Sequence, residues 1–206
     1  MQTSRARHAL PLYQGLMEEI KIRVAATVAT RNAPPPLPGA IVQEFCLLQI
    51  RMICELIALG CLVAHGDITK ANKLTKFYQA DRIMHALEQL HPDFFPMPVV
   101  ETMRGSSHHY LEMRNSGFLT KPEFIKLYSQ TCGNGLHRGS LKNLLSAKQP
   151  RQFEPQRISE LIAKIQGLLN SHVITLTGGE TILVCHMQTK ETGAVNVALA
   201  GRLSAQ

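Results

Sequence analysis

Two neighbouring residues near the middle of the chain carry the side-chain types that acid–base chemistry on a phosphate requires. His137 and Arg138 lie in the segment LYSQTCGNGLHRG, where Gly133 and Gly135 are expected to end a helix. An imidazole can take or give a proton near neutral pH, and a guanidinium can hold a phosphate and stabilise charge that develops on it. Metal-free cleavage of RNA needs little more, because the substrate's own hydroxyl is the nucleophile. We therefore predict His137 and Arg138 as catalytic candidates; the alternative is a turn-capping histidine beside a solvated arginine.

A second candidate is an arginine and a glutamate four positions apart in an otherwise apolar segment, Arg51 and Glu55. This spacing brings both side chains to one face of a helix, where they can meet. A charge that is buried alone is costly. The pair is therefore predicted to be a structural ion pair, or a site where Arg51 reaches a phosphate or His137.

A third candidate lies in the polar segment RGSSHH, where Arg104 and His109 could contact a phosphate. The alternative is an exposed loop tip, since short polar loops are usually on the surface.

Metal and nucleotide cofactors are not predicted. Cys132 with His137, and Cys185 with His186, are possible zinc ligands, but neither pair has the spacing of a zinc finger. Adjacent strand residues also point to opposite faces of a sheet, which disfavours joint ligation by Cys185 and His186. The sequence contains no Walker loop, dinucleotide fingerprint, HExxH or nucleophile elbow.

The elements that must position these residues are mainly helical. Apolar residues spaced three and four apart predict the helices, which are expected at about 11–31, 39–65, 69–90, 120–131 and 157–172. The second is apolar almost all round and is expected to be the most buried, while a capping box at Thr120 and Glu123 starts the fourth. Residues 91–119 contain many prolines and glycines and predict a long loop with a short hairpin.

The C-terminal part of the chain is predicted to be β-structure. Three β-branched runs, HVITLT, TILVCHMQ and AVNVALA, are separated by glycine-containing turns, which predicts a three-stranded antiparallel meander. The fold class expected is therefore α+β and mainly α. We predict a single domain over residues 1–206, with a helical bundle at 11–171 and a β-rich appendage at 172–203.

Composition narrows the classes of function. The chain has 206 residues, 45% of them hydrophobic and 18% charged, which is typical of a globular protein. Its formal charge of +7 favours polyanions as partners. The N-terminus lacks a secretory pattern, and the odd number of cysteines fits reduced thiols, so a cytoplasmic location is expected. Arg51 and Glu55 interrupt the long apolar segment, so no membrane span is predicted.

Two segments resemble the HEPN-like helical superfamily: the apolar helix with QIRMICELIALGCLV, and the later helix that ends LYSQTCGNGLH. The resemblance covers about half of the chain. It implies a helical bundle with a buried helix bearing Arg51 and Glu55, and a later helix in which Tyr128 precedes His137. Many members are, or derive from, metal-independent ribonucleases of defence and toxin systems, and they commonly act as dimers.

The resemblance has one departure that bears on catalysis. Members carry an arginine four to six residues before the histidine, and no arginine stands there before His137. Arg104 and His109 have that spacing, but in the segment rich in proline and glycine.

The sequence therefore predicts an RNA-associated protein, possible as a homodimer, in which His137 with Arg51 or Arg138 could cleave RNA without a cofactor. An alternative is a non-catalytic protein-interaction module in which the Arg51–Glu55 pair is structural. A further alternative is a small-molecule site in the apolar interior around Cys54 and Cys61.

Overall fold

The computed structural model describes residues 2–66, 76–104, 108–136 and 152–201, with the backbone alone for 2–8, 103–104 and 108–110. Over these residues the fold is mixed α+β and mainly α, as predicted, with one antiparallel sheet.

The first two helices pack along each other and form the centre of the molecule. Helix α1 covers Gln2–Asn32 and helix α2 covers Gly39–Ala64. The prediction that α1 starts near Pro11 was wrong: Pro11 lies inside the helix. A proline removes one backbone donor and bends a helix, but a long helix can continue through it when flanking turns are intact.

The third helix is shorter than predicted. Helix α3 covers Ala80–Leu90, and Gln79 before it has an extended backbone, with φ −81° and ψ 120°. Residues 77–79 are therefore not helical, and 67–75 lie outside the described residues. The apolar spacing misled the prediction because Phe77, which matches the stripe, is 37% exposed and does not pack with it.

The helix that begins at the capping box continues further than predicted. Helix α4 covers Lys121–Lys126, a π-helical segment covers Leu127–Cys132, and helix α5 covers Gly133–Leu136. The expected break at Gly133 is absent. A Cβ at Gly135 would overlap the Leu47 side chain of α2, so this glycine permits close helix packing rather than a turn.

The last helix and the strands match the predictions, with one addition. Helix α6 covers Pro155–Leu169, and the sheet contains β1 (Met97–Arg104), β2 (His108–Met113), β3 (Ser171–Thr175), β4 (Thr181–His186) and β5 (Asn196–Gly201). Strands β3, β4 and β5 form the expected meander. The hairpin β1–β2 pairs with β3 through Met97 and Pro98, so the sheet has five strands in the order β2-β1-β3-β4-β5.

One hydrophobic core joins the helices to the sheet. Ile50 and Ile53 of α2, Ile165 of α6 and Ile174 of β3 are all fully buried in it. Cys54 and the other four cysteines are buried and free, as expected for reduced thiols.

Helix α2 also has the length and composition of a membrane-crossing helix, the one such helix in the part of the chain that the structure describes. Within its most apolar window, 61% of the residues are buried by the rest of the protein. A core helix of a globular protein has the same properties.

Candidate functional site

The two predicted residues of α2 meet a tyrosine from the π-helical segment. Arg51 Nε lies 3.3 Å from Glu55 Oε1, one helical turn away. Arg51 Nη2 donates a hydrogen bond of 3.0 Å to the Tyr128 hydroxyl, which donates one of 3.2 Å to Glu55 Oε1. The guanidinium carbon also lies 4.5 Å from the centre of the Tyr128 ring. These three residues are named the Arg51 cluster below.

The π-helical segment places Tyr128 against α2. Leu127, Tyr128 and Cys132 are its buried residues, and Phe124 of α4 continues the same packed surface. A π-helical turn holds one more residue than an α-helical turn, is rare, and is frequent at functional sites. The π-helical turn therefore occurs at Tyr128, the residue that joins this segment to α2 in the Arg51 cluster.

The tyrosine of the cluster stays protonated. Burial, together with the nearby Glu55 carboxylate, raises the pKa of Tyr128, while Arg51 and the backbone amide of Ala80 act in the opposite direction. A neutral phenol is both a donor and an acceptor. Tyr128 can therefore accept from Arg51 and donate to Glu55 at the same time.

The arginine retains capacity to bind an anion. Its side chain is 29% exposed and that of Glu55 is 23% exposed, so the pair is not sealed in the core. Among the residues that the structure describes, Arg51 Nη1 has no hydrogen-bond partner. A guanidinium is a rigid fork of donors that matches a phosphate. The cluster can bind a phosphate, and it also links α2 to the π-helical segment.

The structure does not place the other predicted catalytic residues relative to the Arg51 cluster. His137 and Arg138 lie outside the described residues. Leu136, the residue before them, ends α5, which packs on α2 at Leu47, one helical turn before Arg51.

The third candidate lies in a hairpin. Arg104 pairs with His108 across β1 and β2, and Met103 pairs with His109, so the backbones of Arg104 and His109 are one residue out of register. Their side chains lie outside the described residues. The spacing that resembles the HEPN motif therefore falls on two strands rather than on a helix.

The cysteines weighed as zinc ligands, Cys132 and Cys185, are both buried. Among the described residues, no group of three or more histidine, cysteine or acidic side chains could hold a metal ion. Burial raises the pKa of both Cys132 and Cys185 to about 12, so both are thiols near neutral pH. Cys185 is fully buried while His186 is half-buried on the other face of the sheet, as the alternation of strand residues predicts.

Two polar pairs were not singled out from the sequence. Tyr13 of α1 lies 2.6 Å from Nε2 of His172 in the core. On the opposite face of the sheet Ser171 Oγ lies 2.9 Å from His186 Nδ1, and His186 Nε2 lies 3.9 Å from Glu101 Oε2. The second distance exceeds that of a hydrogen bond. We therefore interpret Ser171 and His186 as a cross-strand hydrogen bond, and not as a nucleophile and its base.

The structure has a groove, but not at the interior position around Cys54 and Cys61 that the sequence suggested for a small molecule. A groove of about 600 Å³ lies between α1, α6 and the end of β4. Its walls include Ile20, Val24 and Met187, and they contain neither Cys54 nor Cys61.

Comparison with protein-family models, with curated proteins and with solved structures finds no match to this chain.

Proposed function

We propose that this chain is a cytoplasmic RNA-binding protein with a HEPN-like helical part, and that Arg51 contacts a phosphate of the RNA. The observation that carries the proposal is the Arg51 guanidinium, oriented by Tyr128 and Glu55 while one amino group and 29% of the side chain stay open. Preorganised donors bind an anion more tightly than free ones, because less conformational freedom is lost.

The overall charge supports the same partner. A formal charge of +7 attracts the phosphate backbone before any specific contact forms. Binding of this kind weakens with added salt, because each neutralised phosphate releases counterions. The affinity for RNA is thus expected to fall steeply as the salt concentration rises.

Metal-independent cleavage is the finer proposal. His137 takes the proton of the 2′-hydroxyl, and the resulting oxygen attacks the adjacent phosphorus to form a 2′,3′-cyclic phosphate. The bond from phosphorus to the 5′-oxygen breaks, and this oxygen leaves as an alcohol after it takes a proton from water, to which His137 afterwards returns one. Arg51 or Arg138 stabilises the negative charge on the phosphate oxygens during the attack. Arg104 and His109 form the secondary candidate pair for the same reaction.

The binding proposal is tested with two arginines in similar ion pairs. Arg51→Gln removes the proposed phosphate ligand, and Arg23→Gln removes an equal charge from the Arg23–Glu19 pair on α1. All three nitrogens of the Arg23 guanidinium group are engaged, by Glu19 and Gln49. We expect Arg51→Gln to weaken RNA binding roughly tenfold, and Arg23→Gln to have little effect, in fluorescence anisotropy at two salt concentrations.

Equal losses in the two variants would mean that only net charge matters, which contradicts a site at Arg51. Absence of RNA binding by the parent protein would contradict the function itself.

The cleavage proposal is tested separately, with RNA incubated in EDTA and followed on a denaturing gel. Loss of cleavage in His137→Ala, with cleavage retained in His186→Ala, is the expected result. Binding without cleavage by the parent would leave a non-catalytic RNA-binding protein. Cleavage that survives both His137→Ala and His109→Ala would contradict the assigned base.

A second candidate function, protein interaction through α2, is favoured by a different observation. Ile41, Phe45 and Leu48 are 46%, 40% and 44% exposed, and their spacing places them on one face of the helix. Apolar stripes at this spacing are the usual contact surface between paired helices. The simplest partner is a second copy of the chain.

This candidate predicts a dimer by size-exclusion chromatography with light scattering, and a monomer for Phe45→Ser. A monomeric parent protein would exclude the second copy as the partner.

A further inference from the structure

We propose that the surface at the start of α3 is a stacking site for an unpaired base, so that the RNA bound by this protein is single-stranded. The inference rests on the proposed RNA binding and extends it to a substrate class. It is carried by Phe77, Tyr78, Arg82 and His85, which are named the α3 surface below.

Two consecutive aromatic residues are exposed on the α3 surface. Tyr78 is 75% exposed and Phe77 is 37% exposed, and they stand in the non-helical stretch just before Ala80. Aromatic side chains are usually well buried, so an exposed pair is informative. Tyrosine and phenylalanine rings are the common platforms on which proteins stack single-stranded bases.

Basic side chains lie beside Phe77, one of the two aromatic residues. A groove of about 390 Å³ is lined by Phe77, Asp81, Arg82, His85 and Ala86. Arg82 and His85 are three positions apart on α3 and therefore lie on one face of the helix. An apolar wall beside the Arg82 guanidinium fits a flat base joined to a negative phosphate. The Asp81 carboxylate in the same groove accepts a bond of 2.9 Å from the Arg82 backbone amide and repels phosphate, which places the base rather than the phosphate beside it.

The α3 surface borders the Arg51 cluster. Helix α3 packs against the π-helical segment that carries Tyr128, whose hydroxyl accepts a hydrogen bond from Arg51. The Ala80 backbone amide at the start of α3 also lowers the pKa of Tyr128. Tyr78 is two residues before Ala80, so their Cα atoms are separated by no more than roughly 7 Å. An RNA strand whose phosphate binds Arg51 can thus place a neighbouring base on Tyr78.

A duplex does not fit this arrangement. Paired bases are stacked on each other, and double-stranded RNA is recognised through its shape and backbone. Stacking on Tyr78 or Phe77 requires a base that is free on at least one face. The proposed substrate is accordingly an unpaired segment, such as a loop or a single-stranded end.

The test uses the fact that the chain contains no tryptophan. Tyr78→Trp preserves a stacking ring and supplies the single indole of the protein as a reporter. Ile22→Trp, at a position of α1 that is 69% exposed, is the matched control. We expect a single-stranded oligonucleotide to quench the indole fluorescence of Tyr78→Trp and to leave that of Ile22→Trp unchanged.

Affinity gives the second measurement. Replacing both rings, Phe77→Ser with Tyr78→Ser, is expected to weaken single-strand binding on the order of tenfold, and Ile22→Ser is expected to leave it unchanged. The parent is expected to bind a duplex of the same sequence more weakly than the single strand. The affinity for the duplex is expected to be the same in the parent and in all variants. Circular dichroism checks that each variant remains folded.

The outcomes separate this inference from the proposed function. If the parent binds single strand and duplex equally and the double substitution changes neither, the stacking site is wrong while RNA binding stands. If the parent binds no RNA, both proposals are wrong.

Discussion

In the part of the chain that the structure describes, two clusters built from a tyrosine and a basic side chain differ in their access to water. In the core, Tyr13 is 1% exposed and His172 is 0% exposed, and they bond each other. In the middle of α2, Arg51 bonds Tyr128, and the Arg51 side chain is 29% exposed. The closed pair uses all of its polar atoms inside the protein, whereas the open cluster leaves a donor for a ligand. The difference in exposure therefore suits the Tyr13–His172 pair to a structural role and the Arg51 cluster to ligand binding.

The partners of the closed pair determine its proton positions. His172 Nδ1 lies 2.7 Å from the Leu169 carbonyl oxygen, to which it donates, so Nε2 carries no proton and accepts from the Tyr13 hydroxyl. Burial lowers the pKa of His172 to about 4, an effect that the Leu169 carbonyl opposes and nearby His186 adds to. Burial also raises the pKa of Tyr13 well above its ordinary value. Both groups are thus neutral at physiological pH.

The largest expected effect of the contrast is on stability at acid pH. The folded-state pKa of His172, about 4, lies below the unfolded value of 6.5, so between them the unfolded chain binds the additional proton. The contribution of neutral His172 to the free energy of unfolding is fully present above pH 6.5. It is lost as the pH falls from 6.5 to 4, by about 3 kcal/mol in all. Urea denaturation of the parent at a series of pH values measures the slope.

The control for this prediction is His172→Asn, which removes the titrating group. The variant is expected to be less stable at neutral pH and to have a shallower dependence of stability on pH between 6.5 and 4. Parallel curves for parent and variant would show that His172 is not the group responsible.

A smaller effect is expected when one hydroxyl is removed from each cluster. Tyr13→Phe leaves Nε2 of His172 without a donor in a dry core, which costs about 1 to 3 kcal/mol. Tyr128→Phe removes a hydroxyl beside half-exposed groups, where water replaces it, and should cost less than about 1 kcal/mol. Chemical denaturation of both variants at neutral pH measures the difference. A larger loss for Tyr128→Phe would reverse the assignment of closed and open clusters.

The open cluster was largely predictable and the closed pair was not. Arg51 and Glu55 could be predicted from the sequence, because a charge pair at helical spacing in an apolar segment is unusual. In the structure their side chains meet, as that spacing requires. Tyr128 was added through the HEPN resemblance. Tyr13 and His172 are 159 residues apart, and nothing local marks a contact between a helix and a distant strand.

The errors in the elements have local causes. Pro11 and Gly133 were given too much weight as helix boundaries, although each is accommodated within a helical segment. Phe77 matched the apolar spacing of α3, but its exposure is set by the extended residue Gln79, which the spacing does not reveal. The pairing of β1 with β3 joins segments that are distant in sequence, so the hairpin and the meander were predicted separately and their union in one five-stranded sheet was not.

The smallest expected effect concerns the carboxylate of the open cluster. Glu55→Gln keeps an oxygen that can accept from Arg51 and Tyr128 but removes a negative charge from the place where a phosphate would bind. Because the ion pair is partly exposed, stability should change by less than about 1 kcal/mol. RNA affinity should rise roughly two- to fivefold, since the like charge no longer repels the phosphate.

Glu19→Gln is the matched control, because Glu19 forms the corresponding ion pair with Arg23 on α1. Both variants gain one unit of net positive charge, so any difference in RNA affinity between them comes from position. If Glu55→Gln strengthens binding more than Glu19→Gln, the phosphate lies beside Arg51. If Glu55→Gln instead loses several kcal/mol of stability and binds RNA as the parent does, the pair is structural and the open cluster is not a binding site.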